Sequence, residues 1–267
     1  MDRARRLPLC PRCSIARRAL LLFCFSLALL GASPGVAQEI SGAEYITPTR
    51  AYPHGALGDE LEWAAVRITV SRQTLNGGSL ISGHLNLTYD IGAPQKMVFE
   101  DTAPRLWDID GDGSPEVVVV LSHQNFGAQL AVIAYRGGEF NYLAATPLIG
   151  TRFRWLAPVG AADLDGDGHV EVAFILTPHL SKTLQIWRYR DGAFRLVAHK
   201  TGLTNHRIGW NHIPGGLRDC GGAVELITAN ADWSRIVASR LESGSIQSRE
   251  VAAYTGPESL NAALDCS

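Results

Sequence analysis

Two stretches of this sequence place four carboxylates within nine residues, at the same spacing. The first runs from Asp108 to Glu116, and the second runs from Asp163 to Glu171. Acids at alternate positions of a tight loop direct their oxygens toward one spot, and the intervening glycines let the backbone wrap around it. The backbone carbonyl of the seventh residue in each loop completes the set of oxygens. The first set is Asp108, Asp110, Asp112, Ser114 and Glu116, and the second is Asp163, Asp165, Asp167, His169 and Glu171.

An oxygen cage of this kind favours calcium, which accepts many hard oxygen ligands in a flexible shell, over magnesium, which requires a small octahedral one. Four negative charges so close together repel one another strongly unless a cation lies between them. The sequence therefore predicts two Ca²⁺ sites, and the alternative is a pair of solvated acidic turns. An EF-hand is not expected, because its last acid comes later in the loop and a helix follows it.

The elements that must position these loops recur along the chain. Glu62, Glu116, Glu171 and Glu225 follow one another at an almost constant interval, which is the sequence signature of a repeat architecture. Each of the last three is followed by an apolar, mostly β-branched run and then by two more strand-like runs separated by a glycine-containing turn. Apolar residues at a period of two, bounded by Gly and Asp, predict strands. No segment has the sustained periodicity of a substantial helix.

With the strand expected before each loop, these runs make four strands in each repeat. They predict an all-β fold, a small β-propeller of about four four-stranded blades with strand–loop–strand calcium sites. A fifth blade, assembled from residues 38–50 and 253–267, is the alternative; in either case the C-terminal tail should pack back on the fold. We expect a single domain over residues 38–267. Its repeats are predicted near residues 50–100, 101–152, 153–207 and 208–256.

The D-x-D-G-D-G-x-x-E-V loops within repeats of this length resemble the FG-GAP/VCBS family, the calcium-bearing blades of integrin-alpha-like β-propellers. This resemblance extends loosely over about residues 50–252. It implies a propeller, calcium between strands, and a binding or adhesive role at the cell surface or in the periplasm. The outer copies depart from it: Leu217 and Gly221 replace acids in the last copy, and His54, Ala56 and Gly58 replace them in the first. No calcium is expected there.

Residues 1–37 have the pattern of an export signal. Six arginines precede or flank the apolar run at residues 19–30, and the small residues Gly35-Val36-Ala37 form a cleavage site. A retained membrane anchor is the alternative, although the run is shorter than a spanning helix requires. We expect a periplasmic or extracellular protein that is not inserted in a membrane after removal of the signal.

The remainder of the chain is acidic. The whole sequence has 24 Lys and Arg and 26 Asp and Glu, and residues 1–37 hold six Arg and one acid, so residues 38–267 carry 18 basic and 25 acidic side chains, a net charge of −7. Such a charge argues against nucleic acid as a partner. Two cysteines remain, Cys220 and Cys266, and an even pair in an exported protein predicts a disulfide. Two unpaired buried thiols are the alternative.

Polar and aromatic residues are concentrated just before the loops. Arg152 and Arg207 are separated by the same interval as the two acidic loops, and so are Trp155 and Trp210. Equivalent positions in successive blades should point to one place, where a rigid scaffold gathers loops that bind ligands. The alternative is an internal layer in which Arg152 and Arg207 pair with acids. The candidate pocket residues are Arg152, Trp155, Arg207, Trp210, His212, Glu100 and Asp101.

These features predict a calcium-stabilised binding module whose partner is a protein or a carbohydrate. Whether the chain is an enzyme is left open, since it contains no G-x-S-x-G, H-E-x-x-H, P-loop or dinucleotide-binding fingerprint. The second hypothesis is an exported propeller hydrolase or lyase that acts on a glycan through the Arg, His and acid cluster.

Overall fold

The computed structural model describes residues 38–76 and 79–266. The export signal predicted for residues 1–37 lies outside these residues. Within them, strands dominate, and one short helix, α1 (Pro257–Ala262), stands near the C-terminus. No helix in the described part of the chain is long and apolar enough to cross a membrane. The predicted all-β class is confirmed.

The chain begins with a three-stranded antiparallel sheet of long strands. These are β1 (Gln38–Thr49), β2 (Glu62–Asn76) and β3 (Ser79–Gly92), with β2 between the other two. Val66, Ile68 and Val70 alternate along β2 and are fully buried, because one face of the sheet packs on the protein core.

The first four-stranded unit has a divided first strand. The strands of the unit are β4 (Met97–Phe99), β5 (Arg105–Trp107), β6 (Glu116–His123), β7 (Gly127–Arg136) and β8 (Glu139–Ala145). The two pieces, β4 and β5, pair with opposite ends of β6, and β7 and β8 complete a meander. The single pair Trp63–Phe99 joins β4 to β2, so that these strands and β1–β3 form one eight-stranded sheet.

The second unit repeats this meander with an undivided first strand. It comprises β9 (Leu156–Ala162), β10 (Glu171–Leu176), β11 (Thr183–Arg190) and β12 (Ala193–Thr201). The third unit comprises β13 (Leu203–Thr204), β14 (Gly216–Arg218), β15 (Glu225–Asn230), β16 (Arg235–Glu242) and β17 (Ser245–Ala253). Its first strand is again divided, and the two pieces, β13 and β14, pair with opposite ends of β15.

Apolar clusters connect neighbouring units. One contains Val118 and Val120 of the first unit with Val172 and Phe174 of the second. Another places Ala173 and Ile175 of the second unit with Leu226 and Val237 of the third. The strands that follow the repeat glutamates are therefore buried on both faces, which is why they read as continuous apolar runs rather than alternating ones.

The C-terminal tail packs back on the third unit, as predicted. Leu260 of α1 is fully buried with Ile227 and Ile236. The predicted disulfide is present, joining Cys220 to Cys266 across 46 residues.

The described residues contain three four-stranded units, where the sequence predicted about four. The expected first repeat, residues 50–100, instead contributes β2 and β3, which form a three-stranded sheet with β1. Residues 62–76 form one unbroken strand of 15 residues, so this stretch has fewer and longer strands than a blade. Residues 62–76 contain no Gly or Pro that would divide the strand.

Candidate functional site

The acidic loops lie between paired strands, as predicted: the first joins β5 to β6, and the second joins β9 to β10. Carboxylate oxygens of Asp108, Asp110 and Glu116 all lie within 4.8 Å of one another. The same holds for Asp163, Asp165 and Glu171. These two sets could each hold a metal ion.

The first acid of each loop organises its backbone. The carboxylate of Asp108 accepts hydrogen bonds from the amides of Gly111 at 2.8 Å and Gly113 at 2.9 Å. Asp163 binds Gly166 and Gly168 at the same distances. Gly111 and Gly113 have φ angles of 74° and 88°, in the left-handed region that glycine adopts without a steric cost. The D-x-D-G-D-G spacing thus folds this loop locally.

The middle acids and the position-7 residues are arranged in the same way in both loops. Asp112 accepts from the amide of Ser114 at 2.8 Å, and Asp167 accepts from the amide of His169 at 3.0 Å. Asp112 and Asp167 are exposed, whereas Ser114 and His169 are half-buried. Metal coordination by the Ser114 and His169 carbonyls stays a prediction.

The last acid of each loop is buried. Glu116 and Glu171 have fully inaccessible side chains. One oxygen of Glu116 accepts from the Ile109 amide at 2.7 Å, and one of Glu171 accepts from the Leu164 amide at 2.8 Å. Burial raises the pKa of both carboxyls, and the hydrogen bonds they accept oppose that shift. A nearby cation would stabilise their charged form.

Sequence reasoning missed two arginines that enter these clusters. The Nη2 atom of Arg136 lies 2.7 Å from Asp110 and 3.2 Å from Asp112, and it also contacts Glu116. The two arginines are on β7 and β11, and neither is among the candidate site residues predicted from the sequence. Their equal spacing with Arg240 along the sequence is the signal that could have singled them out.

Arg188 reaches three carboxylates through three different nitrogens. Its Nη2 lies 2.6 Å from Asp165 and its Nη1 lies 2.7 Å from Asp167, while its Nε contacts Glu171. Each acidic loop therefore has one positive charge of the protein itself among its four negative ones.

A separate cavity of about 230 Å³ opens where loops of different units meet. Its wall is largely apolar with two imidazoles and one guanidinium. The lining residues are His54, Phe153, Arg154, Trp155, Thr177, Pro178, His179, Leu180 and Ile208.

His54 is held in this cavity by a buried carboxylate. Its Nδ1 contacts Glu100, whose side chain is inaccessible to solvent and whose other oxygen contacts the Ser122 hydroxyl. The His54 ring stacks on Phe153 at 5.1 Å between ring centroids. Burial raises the pKa of Glu100, and the contacts from His54 and Ser122 oppose that shift.

A hydrogen-bonded chain of two histidines leads from the cavity wall, at His179, to the buried His206. His179 Nε2 lies 2.9 Å from His206 Nδ1, and His206 Nε2 lies 2.9 Å from the Trp210 carbonyl oxygen. Burial lowers the pKa of both histidines to about 4, so both are neutral near pH 7. Because a carbonyl only accepts, His206 donates from Nε2 and accepts at Nδ1, which leaves Nδ1 of His179 as an acceptor.

The structure distributes the predicted pocket residues over three places. Trp155 lines the cavity, and its Nε1 donates to the Glu100 carbonyl at 2.8 Å. Asp101 pairs with Arg105, and among the described residues neither Arg152 nor Arg207 forms an ion pair with an acid, unlike the alternative of an internal paired layer. Their guanidiniums instead stack on rings: Arg152 on Phe153 at 4.4 Å, and Arg207 on Trp233 at 4.7 Å.

Trp210 and His212 stack on each other at 4.9 Å outside the cavity wall. Trp210 is connected to the cavity through the histidine chain described above. The predicted convergence thus brings together Trp155 and Glu100, with His54 as their unpredicted neighbour, while Arg207, Trp210 and His212 form an adjacent aromatic cluster.

One family model matches the segment that contains both acidic loops. The FG-GAP-like repeat model matches residues 108–174, which include both loops and the strands between them. This segment is FG-GAP-like. No curated protein matches the sequence. Among solved structures, rhamnogalacturonan lyase YesW aligns at 15% identity and a TM-score of 0.35 over 76% of this chain. The chain corresponds to 45% of the length of that lyase.

The third unit lies beyond the FG-GAP-like segment, and its loop keeps only Asp219 of the three aspartates. Glu225 occupies the position of Glu116 and Glu171, and three arginines surround it: Arg218, Arg240 and Arg249 contact it at 2.7–2.9 Å. Burial acts to raise the pKa of Glu225, but the arginines outweigh it and hold the pKa below its ordinary value. The Cys220–Cys266 disulfide ties the corresponding loop to the tail.

The first copy also lacks an FG-GAP-like loop. Glu62 is only 1% exposed, and neither of its carboxylate oxygens has a hydrogen-bond partner among the described residues. Burial, with the nearby charges of Glu100, Asp59 and Asp101, raises the pKa of Glu62 to about 10. This carboxyl is therefore protonated at neutral pH.

Proposed function

We propose that this protein is an exported, calcium-binding β-propeller module in which two Ca²⁺ ions stabilise the fold. The observation that carries the proposal is the duplicated carboxylate cluster, held between paired strands in the FG-GAP-like segment. Each cluster closes one strand connection of a four-stranded unit. An ion there would hold that connection in place, since a ligand that binds the folded state selectively stabilises it.

The donor set fits calcium. Each loop offers four carboxylates, and the backbone carbonyls of Ser114 and His169 would add neutral oxygens. The residues that would hold the ions are those predicted at positions 108–116 and 163–171. Extracellular calcium modules bind the ion with dissociation constants of roughly 10⁻⁴–10⁻³ M, so a module of this kind would be loaded outside the cytoplasm and less so inside it.

Contacts between loops of different units support a propeller arrangement. The Gly209 amide of the third unit donates to the Ala56 carbonyl at 3.0 Å, and the Phe153 amide donates to the Tyr52 hydroxyl at 2.7 Å. The loop that follows β1 thus contacts the second and third units. The disulfide supports export, because such bonds persist in oxidising compartments.

Calcium binding is tested by isothermal titration of the metal-stripped protein and by melting curves in EDTA and in millimolar calcium. We expect binding at two sites and a higher melting temperature in calcium. Asp110→Asn and Asp165→Asn should each remove one site, whereas Asp191→Asn, at an exposed turn, should remove none. If calcium produced no heat of binding in the titration and the melting curves in EDTA and calcium were identical, this would falsify the proposed role.

We propose that the cavity at His54 receives the partner, with a carbohydrate ring as the ligand. Apolar walls formed by Phe153, Leu180 and Ile208 suit the faces of a sugar, and the imidazoles and Arg154 suit its hydroxyls. Titration with neutral and acidic oligosaccharides tests this. His179→Ala should abolish binding, while His199→Ala, on an exposed part of β12, should retain it. Equal binding by both variants would place the ligand elsewhere.

The second candidate function is an exported hydrolase or lyase that acts on a glycan. The His54–Glu100 contact favours it, because an imidazole oriented by a buried carboxylate is a common form of general base. Incubation with polysaccharides should then release reducing ends in the case of a hydrolase or unsaturated products in the case of a lyase. His54→Gln should lose this activity, and His199→Gln should keep it. Polysaccharides left intact by the wild-type protein would exclude this candidate for those substrates.

A further inference from the structure

One charged pair is common to the three four-stranded units. A glutamate begins the strand after each loop, and an arginine of the next strand reaches it. The three arginines, Arg136, Arg188 and Arg240, are equally spaced in the sequence. In the second unit Arg188 stands directly opposite Glu171, and in the third Arg240 Nε lies 2.8 Å from Glu225. The pairing follows from strand register and does not depend on the aspartates.

The third unit shows what this pair does where the acidic loop is reduced. Of the three aspartates its loop keeps only Asp219, at the position of Asp110 and Asp165. The ion pairs of Glu225 are with Arg218, Arg240 and Arg249. Arginine charges are therefore sufficient to accommodate the buried glutamate of a unit. The acidic loops of the other two units add aspartates to an arrangement that is already internally paired.

In those two units the arginine extends beyond the glutamate into the acidic loop. Arg136 contacts carboxylates of Asp110, Asp112 and Glu116, and the side chain of Arg188 does the same with the equivalent acids. Asp110, Glu116 and their equivalents belong to the sets whose oxygens lie within 4.8 Å of one another. One guanidinium thus occupies the electrostatic position that a bound cation requires.

We infer that Arg136 and Arg188 are tethered cations that compete with Ca²⁺ for the carboxylates of their own loops and thereby set the calcium affinity. This inference rests on the proposed calcium function. Four carboxylates and one arginine leave each loop with a charge of −3, so a divalent ion is still attracted. To bind the middle aspartates it must displace the guanidinium, whose side chain is 36% exposed in Arg136 and 20% exposed in Arg188.

Competition has a reciprocal consequence. An arginine that stabilises the calcium-free loop weakens calcium binding by the same free energy. Removal of the arginine should therefore lower the melting temperature in EDTA, because the buried glutamate loses its partner. It should also tighten calcium binding and enlarge the rise in melting temperature that calcium produces.

The test compares Arg188→Met and Arg136→Met with two matched controls. Arg190→Met removes the same charge two residues further along the strand, where the side chain is 59% exposed and its nearest acid is 3.6 Å away. Arg240→Met removes the equivalent arginine of the third unit, where it contacts Glu225 and the loop keeps a single aspartate. Calcium titration and melting curves in EDTA and calcium are recorded for the whole protein in each case.

We expect Arg188→Met and Arg136→Met each to tighten calcium binding at one site by about tenfold and to melt earlier than the wild type in EDTA. Arg190→Met should change calcium affinity by no more than about twofold, and Arg240→Met should lower the EDTA melting temperature without altering calcium binding. If the wild type binds calcium and both loop variants bind it equally well or more weakly, this inference is wrong and the proposed calcium function stands. No calcium binding by any variant or by the wild type would overturn it together with the proposed function.

Discussion

The indole Nε1 of Trp155 donates a hydrogen bond to the backbone carbonyl of Glu100, at 2.8 Å. Trp155 immediately precedes β9 of the second four-stranded unit, and Glu100 lies between the two pieces of the divided strand in the first. The Glu100 side chain turns the other way and contacts His54. Glu100 thus contacts the second unit through its backbone carbonyl and the cavity residue His54 through its side chain.

The orphan carboxyl of Glu62 predicts an unusual pH dependence. Burial raises its pKa to about 10, so the folded protein keeps this proton at pH values where the unfolded chain has lost it. The folded state then binds more protons than the unfolded state, and stability falls as pH rises from about 5 toward 10, by up to about 1.4 kcal/mol per pH unit. Glu62→Gln should remove this slope and stabilise the protein at pH 8. Urea unfolding at pH 6 and pH 8 measures it, with the exposed Glu44→Gln as the control.

If Glu62→Gln kept the wild-type slope, the carboxyl would have to be ionised and paired in solution. The Glu44→Gln control is expected to keep the wild-type slope in either case.

The histidine chain predicts destabilisation by acid. Burial lowers the pKa of His179 and His206 to about 4, below the value near 6.5 of an unfolded chain. Between these values the unfolded state binds more protons, so stability present above pH 6.5 is lost as pH falls toward 4, by up to about 1.4 kcal/mol per pH unit for each histidine. His206→Gln should reduce this slope, and His199→Gln should not. Denaturant unfolding at intervals from pH 7 to pH 4 tests it, and a slope unaffected by His206→Gln contradicts it.

Gly160 permits close packing between the second and third units. A Cβ atom at this position would collide with the side chain of Leu217 on β14. We expect Gly160→Ala to destabilise the protein by about 1–3 kcal/mol, measured by chemical denaturation. Gly92→Ala is the control, because a Cβ there meets nothing within 4 Å. Leu217→Ala should relieve part of the cost in the double variant, and full additivity of the two substitutions would contradict the proposed contact.

The Cys220–Cys266 disulfide closes a loop that includes the last three strands and α1. Chain-entropy arguments give a stabilisation of about 4 kcal/mol for a loop of this length, reduced if the unfolded chain is compact. Replacement of both cysteines by serine should lower the melting temperature and leave calcium binding unchanged, since neither acidic loop is involved. The wild type with reductant serves as a second comparison. Equal melting temperatures with and without the bond would contradict a stabilising role.

The all-β class and the position of both acidic loops could be predicted because they depend on local spacing. The D-x-D-G-D-G pattern determines the turn through bonds such as that from Gly111 to Asp108, within three residues. The divided strands β4/β5 and β13/β14 could not be predicted, since each piece is two or three residues long and pairs only because a partner strand is already present.

The histidines were the main omission at the cavity. The repeat assigns His54 to a degenerate loop, at the position of Asp108 and Asp163, and it gives no reason to single out His179. Their contacts join residues 46 and 27 positions apart. Periodicity identifies residues that recur, and it carries no signal for side chains that meet once where unlike loops converge.

By itself, the amino-acid sequence determined the strand-forming periodicity, the duplicated acidic loops and the pairing of two remaining cysteines, since each is specified by residue types at short spacings or by a count. Only the tertiary structure decided that Arg136 and Arg188 face those acids, that Glu62 has no partner among the described residues, and that His54 meets Glu100 beside Trp155. The physical reason is register and packing: which side chains share a face, and which are removed from water, depends on how whole sheets are aligned.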